Sequence, residues 1–171
     1  IHVLPCSYLM DGEQSVYEGN IDAFDSHDYY EKLRNGSEMK TSLLNSQLFL
    51  DHFRPELEKG LDVVYVGLSS GVSGTLQAAQ IAANMLADEY PNRTVRVIDS
   101  LGAALGPGLL TCRAAELREE GKTANEAGDI LDIEVSKLLQ FFTVADLNFL
   151  KRTVRVFGLN ANIGTLLNIK P

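Results

Sequence analysis

Gly67-Leu68-Ser69-Ser70-Gly71-Val72-Ser73-Gly74-Thr75 stands between an apolar run, Val63 to Val66, and a helical pattern, Leu76 to Leu86. Three serines, a threonine and three glycines therefore fall where a strand hands over to a helix. The first turn of a helix carries unpaired backbone N–H groups and the positive end of the helix dipole. Glycines let that backbone approach a ligand closely, and hydroxyls add donors. This is chemistry for holding an anionic headgroup such as a carboxylate or a phosphate. It supplies neither a strong base nor a metal site. Ser and Thr are also ordinary helix caps and Gly is ordinary in turns, so the same residues can serve the backbone alone.

Working outward, Thr94 to Asp99 reads as a second apolar strand, through Val95-Arg96-Val97-Ile98. Helical spacing predicts helices over 22–35, 46–59, 75–89, 103–120 and 124–137, with Gly36, Gly60 and Gly121 as stops. Ile1 to Leu9 reads as a short strand followed by an Asp11-Gly12 turn, and Lys40 to Asn45 as a polar-edged connector. A strand over 141–144 and a short helix over 146–151 precede an apolar, glycine-punctuated tail. Strands alternating with helices predict an α/β fold, a mainly parallel sheet with helices on both faces. Ligands of such folds bind beyond the carboxyl ends of the strands. Thr41-Ser42, the Ser69 to Thr75 loop and Asp99-Ser100-Leu101-Gly102 are the segments expected there.

The chain has 171 residues, 45% of them hydrophobic and 22% charged, which suits one α/β domain with a sizeable core. A net charge of −8 argues against nucleic acid and anionic membrane surfaces as partners. No apolar run is long enough to be membrane-embedded as a helix. Cys6 and Cys112 lie far apart in no zinc or redox spacing, in keeping with a reducing, cytoplasmic compartment. The glycines fit neither a P-loop nor a dinucleotide fingerprint, and the serines do not fit a nucleophile elbow. His2, His27 and His52 read as surface or edge positions, and no nucleophile–base partnership stands out. No cofactor and no metal are expected.

Several motifs together resemble the DegV family of fatty-acid-binding proteins. They are Lys40-Thr41-Ser42, Leu68 to Thr75, Val97-Ile98-Asp99-Ser100, Ala104-Leu105-Gly106-Pro107-Gly108, Asp146-Leu147-Asn148-Phe149-Leu150-Lys151-Arg152, and Ile163 to Pro171. The resemblance implies a bacterial carrier in which a long-chain fatty acid lies in a tunnel between two domains. It implies that hydroxyls corresponding to Thr41 and Ser73 hydrogen-bond the carboxylate. Ser42, Ser69, Ser70, Gly74 and Thr75 complete the expected ligand-binding set, and Thr41 and Ser73 are expected to lie close together. Leu101, Ala104, Leu105 and Ile163 are candidates for the lining, although each type of residue is common in an ordinary core. The resemblance further implies a fatty acid kinase as partner, with phospholipid synthesis downstream.

The family opens with a strand ending in Asp-Ser and continues into a second domain. Residues 1–171 are therefore expected to be one domain, the amino-terminal half of a two-domain protein. The family also carries Gly-Gly-Arg where this chain has Thr153-Val154-Arg155, so a left-handed backbone there would be costly. A phosphotransfer or kinase-like enzyme is the alternative, by analogy of fold, and a regulatory domain whose serines only cap a helix is a third reading.

Overall fold

The structure, a computed structural model, describes residues 1–141. The expected elements at 141–144 and 146–151, the Gly-Gly departure before Arg155 and the candidate Ile163 lie at or beyond that limit, and from residue 142 on they are outside the described residues. Ile1–Leu138 forms one compact unit.

The strands are β1 (Cys6–Met10), β2 (Glu13–Tyr17), β3 (Met39–Thr41), β4 (Val63–Gly67) and β5 (Val95–Asp99). The helices are α1 (Ser26–Arg34), α2 (Ser46–Glu58), α3 (Thr75–Glu89), α4 (Leu105–Glu119) and α5 (Ala124–Val135). β4 and β5 pair in parallel, with Val63 opposite Val95 and Gly67 opposite Asp99. Side chains alternate across this ribbon, as strand geometry requires. Val63, Tyr65, Val95 and Val97 pack with Phe49, Phe53 and Leu57 of α2 and Ala79, Ala82 and Leu86 of α3. Val64, Val66 and Ile98 pack with Leu110 and Leu117 of α4 and Ala127, Leu131 and Val135 of α5. The expected α/β class, with helices on both faces of a parallel pair, is what the chain builds.

Arg96 belongs to the second face. Its guanidinium reaches Asp129 at 2.7 Å, Asp132 at 2.8 Å and the carbonyl of Asn125 at 3.3 Å, all on α5. Buried Gly128 leaves room for it, since a Cβ there would lie 2.6 Å from Arg96 Nε.

The remaining strands form an antiparallel sheet in the order β2-β1-β3. Asp11 and Gly12 adopt φ of 52° and 89° and make the two-residue turn between β1 and β2. Asp11 also ties the hairpin to the start of β3, because its carboxylate accepts from the Glu38 N–H at 2.8 Å. Hydrogen bonds from Ser37 and Glu38 hold that carboxyl below its ordinary pKa. This sheet differs from the sequence expectation, which had one strand and a connector here. Glu13-Gln14-Ser15 is too polar to read as a strand, and β3 is three residues long. Pairing with β1 makes both, not their own periodicity.

Candidate functional site

Parallel pairing brings the carboxyl ends of β4 and β5 to the same edge, and the loops that follow them are knitted together. β4 ends at Gly67, where a Cβ would fall 2.5 Å from Leu76 Cδ1 and 3.0 Å from Tyr65 Cε1, so a side chain does not fit. The chain then closes a tight turn in which the Val72 and Ser73 N–H groups donate to the Ser69 carbonyl at 3.0 and 3.1 Å. The Ser69 N–H donates to the Gly102 carbonyl at 3.0 Å, and the Ser100 N–H to the Gly67 carbonyl at 3.3 Å. Asp99 completes the join. Its carboxylate accepts the Ser70 hydroxyl at 2.5 Å, the Ser70 N–H at 3.2 Å and the Leu101 N–H at 3.0 Å. Ser100 is buried, and its Oγ accepts from the Gly102 N–H at 3.2 Å.

The hydroxyls of the loop are not equivalent. Ser70 is committed to Asp99. Ser69 Oγ accepts from the Gly71 N–H at 3.2 Å, which leaves its own proton to donate. Ser73 Oγ and Thr75 Oγ1 are 3.1 Å apart, so one of the two donates to the other and the second proton is available. Ser73 Oγ also accepts from the Thr75 N–H at 3.3 Å. Ser69, Ser73 and Thr75 are half-buried, whereas Ser70 and Gly74 are exposed.

Capping separates the helices into two groups. Asp25, Asn45 and Thr123 cap α1, α2 and α5 with their side chains. Gly74 and Ala104 are the cap residues before α3 and α4, and neither makes a side-chain hydrogen bond. These are the two helices that start at the carboxyl edge of the parallel pair. The first-turn N–H groups of α3 therefore face the loop's hydroxyls without an Asp or Asn carboxamide or carboxylate among them. The simple capping reading of the serines is thus only partly met, since the cap position itself is a glycine.

Large apolar side chains surround this edge. Leu101 is 64% exposed and Leu105 88%, so neither is core, and Ala104 is exposed beside them. Leu101 and Ala104 hold left-handed backbone, φ 49° and 53°, a cost that a non-glycine residue meets only where its surroundings enforce it. Val72 is also exposed, as is Leu43 at 65%. Leu43 brings the Thr41-Ser42 connector to the loop, since its Cδ1 lies 3.7 Å from where a Gly74 Cβ would stand. Thr41 itself sits at the end of β3, exposed and opposite Tyr8 in register, and the Ser42 N–H donates to the Ser7 carbonyl at 3.0 Å. Thus Ser69, Ser70, Ser73, Gly74 and Thr75 share one loop, and Leu43, which follows Thr41-Ser42 in the chain, packs beside Gly74 of it. Sequence reasoning placed Asp99 in a segment expected at the ligand edge without naming its partners, and it gave no role to Leu43.

The other features are of different chemistry. A cleft of about 420 Å³ opens between the β1–β2 hairpin and α1, lined by Tyr8, Phe24 and Tyr29 with Asp25, Asp28 and Lys32. His2, His27 and His52 are exposed, the first before β1 and the others on α1 and α2. Among the described residues no group of His, Cys, Asp and Glu could hold a metal ion, and no helix is long and apolar enough to cross a membrane.

The family described as DegV, an uncharacterised protein family, matches residues 1–171. A DegV domain-containing protein of Clostridium perfringens is 36% identical over 160 residues, covering 93% of this chain and 55% of that protein. The chain spans about half the length of the curated relatives it matches. A DegV family protein from Thermus thermophilus, described for its fatty acid binding, is 33% identical with a TM-score of 0.77, over 99% of this chain and 58% of that one. The fold extends to the fatty acid kinase B3 protein of Streptococcus pneumoniae loaded with linoleic acid, at 22% identity and a TM-score of 0.80, over 98% of this chain and 57% of that one. With a family match along its whole length and a fold shared with these structures, the chain belongs to the DegV family.

Proposed function

We propose that this chain forms one wall of a binding site for a long-chain fatty acid, acting as a carrier and not as a catalyst. The observation that carries this reading is a helix start whose cap residue is a glycine, ringed by hydroxyls and bordered by exposed leucines. The fatty acid binding described for the Thermus thermophilus relative supports it. In this reading Thr41 and Ser73 donate to the carboxylate, Thr75 donates to Ser73 Oγ and so turns the Ser73 proton outward, Ser69 supplies a further proton, and Ser42, Ser70 and Gly74 shape the surrounding backbone.

The energetics divide the labour. Burying a dozen methylenes is worth roughly 10 kcal/mol before ordering costs. Each hydrogen bond to a charged carboxylate adds only about 1.5–3 kcal/mol. The tail therefore sets affinity, and the hydroxyls set orientation and headgroup choice. Leu101, Leu105 and Leu43 offer the tail apolar surface on this chain, and residues elsewhere in the gene product supply the facing wall. The bound acid would be presented, carboxylate accessible, to a cytoplasmic fatty acid kinase. That partner rests on the resemblance to the family, since likeness to the Streptococcus pneumoniae protein at 22% identity is one of fold.

The test is native mass spectrometry of the gene product purified from cells, followed by calorimetry with palmitate. A co-purified mass of a C16–C18 acid, lost or reduced in Ser73→Ala, is the expected result. Ser73→Ala should weaken palmitate binding about ten- to a hundredfold. If the variant melts lower and binds unchanged, Ser73 is a cap and the headgroup assignment is wrong. Recovery of a phosphorylated metabolite in place of the acid would favour the phosphotransfer alternative.

A further inference from the structure

We propose that Asp99 is the positioning residue of the headgroup site, and that Ser70 acts through it and not as a donor to the ligand. The inference rests on the fatty-acid reading above. Asp99 ends β5 beside Gly67, the last residue of β4, so its side chain stands at the base of both loops. One carboxylate oxygen accepts two backbone N–H groups, from Ser70 and Leu101, and the other accepts the Ser70 hydroxyl. Each loop is thus anchored to the same carboxylate, one through Ser70 and the other through Leu101. Charge-assisted bonds of this kind are the stronger class, and three on one side chain fix its rotamer.

The consequence for the ligand is an allocation of donors. With its hydroxyl proton and its N–H both directed at Asp99, Ser70 has no donor left for a second anion. Beyond Ser70, the turn closed on the Ser69 carbonyl carries Ser73 to the start of α3, where its hydroxyl is paired with Thr75. Losing Asp99 would free Ser70 and release the loop that sets where Ser73 and Thr75 point. On the other side it would release Leu101, whose left-handed backbone keeps a largely exposed leucine at the same rim. Asp99 therefore couples the polar part of the site to its apolar border.

The experiment compares palmitate with hexadecanol, which shares the tail and lacks the carboxylate, on the full gene product. Wild type, Ser73→Ala, Asp99→Ala, Asp99→Asn, Ser70→Ala and the Ser70→Ala/Asp99→Ala double variant are titrated, with melts recorded for each. Asp99→Ala should weaken palmitate about tenfold or more and hexadecanol less than about threefold, so that headgroup selectivity collapses. Asp99→Asn should keep palmitate within about threefold, because the amide oxygen still accepts both N–H groups and its NH₂ donates to Ser70 Oγ. Ser70→Ala should lose about three- to tenfold, and the double variant no more than Asp99→Ala alone.

Unchanged selectivity in Asp99→Ala, or a multiplicative loss in the double variant, overturns the inference while leaving the fatty-acid reading intact. If Asp99→Ala does not fold, Ser70→Ala and Asp99→Asn decide: loss in the first with retention in the second supports the assignment, and any other pattern rejects it. If wild type fails to prefer palmitate, or Ser73→Ala keeps the full preference, the underlying reading fails and this inference falls with it.

Discussion

Leu43 of the connector lies against Gly74, the cap residue before α3, with ordinary van der Waals room for one more carbon between them. Gly74 has a right-handed backbone, φ −74°, so a side chain is compatible there. Gly74→Ala is expected to raise stability by about 0.5 kcal/mol, chiefly by narrowing the unfolded ensemble. Gly67→Ala should do the opposite and cost about 1–3 kcal/mol, because its Cβ would strike Leu76 and Tyr65. Urea unfolding of the two variants checks both signs. Equal effects would show that the two glycines do not differ in packing.

Gly128 is buried on α5, where alanine would ordinarily gain about 1 kcal/mol of helix propensity. The Arg96 guanidinium occupies that space and is held by Asp129 and Asp132. Gly128→Ala is therefore expected to destabilise by about 1 kcal/mol, through displacement of Arg96 from its partners. In an Arg96→Ala background the same change should become stabilising. Chemical denaturation of the four proteins of this cycle reads the reversal.

Leu117 and Leu105 are both on α4 and differ completely in surroundings, 0% exposed against 88%. Leu117→Ala should cost about 2–5 kcal/mol of stability. Leu105→Ala should change stability by less than about 0.5 kcal/mol and weaken palmitate binding. Melting and calorimetry on the pair separate core from rim. A large loss of stability in Leu105→Ala would show that it packs within the fold.

Glu126 and Thr123 form a reciprocal cap at the start of α5, the Thr123 N–H and hydroxyl each donating to the Glu126 carboxylate at 2.9 Å. Those bonds hold the Glu126 carboxyl below its ordinary pKa. Its contribution is thus complete above the ordinary glutamate pKa, and it is lost as the pH falls through the lower value of the folded state. Glu126→Gln should flatten that part of the stability profile between about pH 5 and 3, where an unperturbed glutamate titrates. Denaturant midpoints measured across that range for both proteins test it. Parallel profiles would remove the cap from the acid response.

How much of this was legible beforehand follows local chemistry. α3 runs from Thr75 to Glu89 and β4 from Val63 to Gly67, close to where the apolar pattern puts them, because α3 buries one apolar face and β4 buries both of its faces. β2 and β3 were not legible. Glu13 and Gln14 are exposed, and a three-residue strand has no period to detect. The serine loop announced itself by composition, but the division of its hydroxyls did not. That Ser70 faces Asp99 depends on two strands lying side by side, a fact of pairing between segments 29 residues apart. Leu101 and Leu105 were candidates for the lining, although leucine is as common in an ordinary core, and their exposure beside the positive-φ residues Leu101 and Ala104 is not written in local sequence.

The pairing of β5 with β4 carries a safeguard in Arg96, the charged residue in the middle of β5. A slip of a single residue along the strand would exchange its two faces. Arg96 would then leave Asp129 and Asp132 and enter the face where Phe49 and Phe53 crowd against Tyr65, 5.1 and 5.9 Å away between ring centres. An unpaired guanidinium among three aromatic rings is far costlier than the exchange of one valine for another. Arg96 thus acts as a register lock: a pairing of β5 with β4 slipped by one residue is penalised by the charge it would bury.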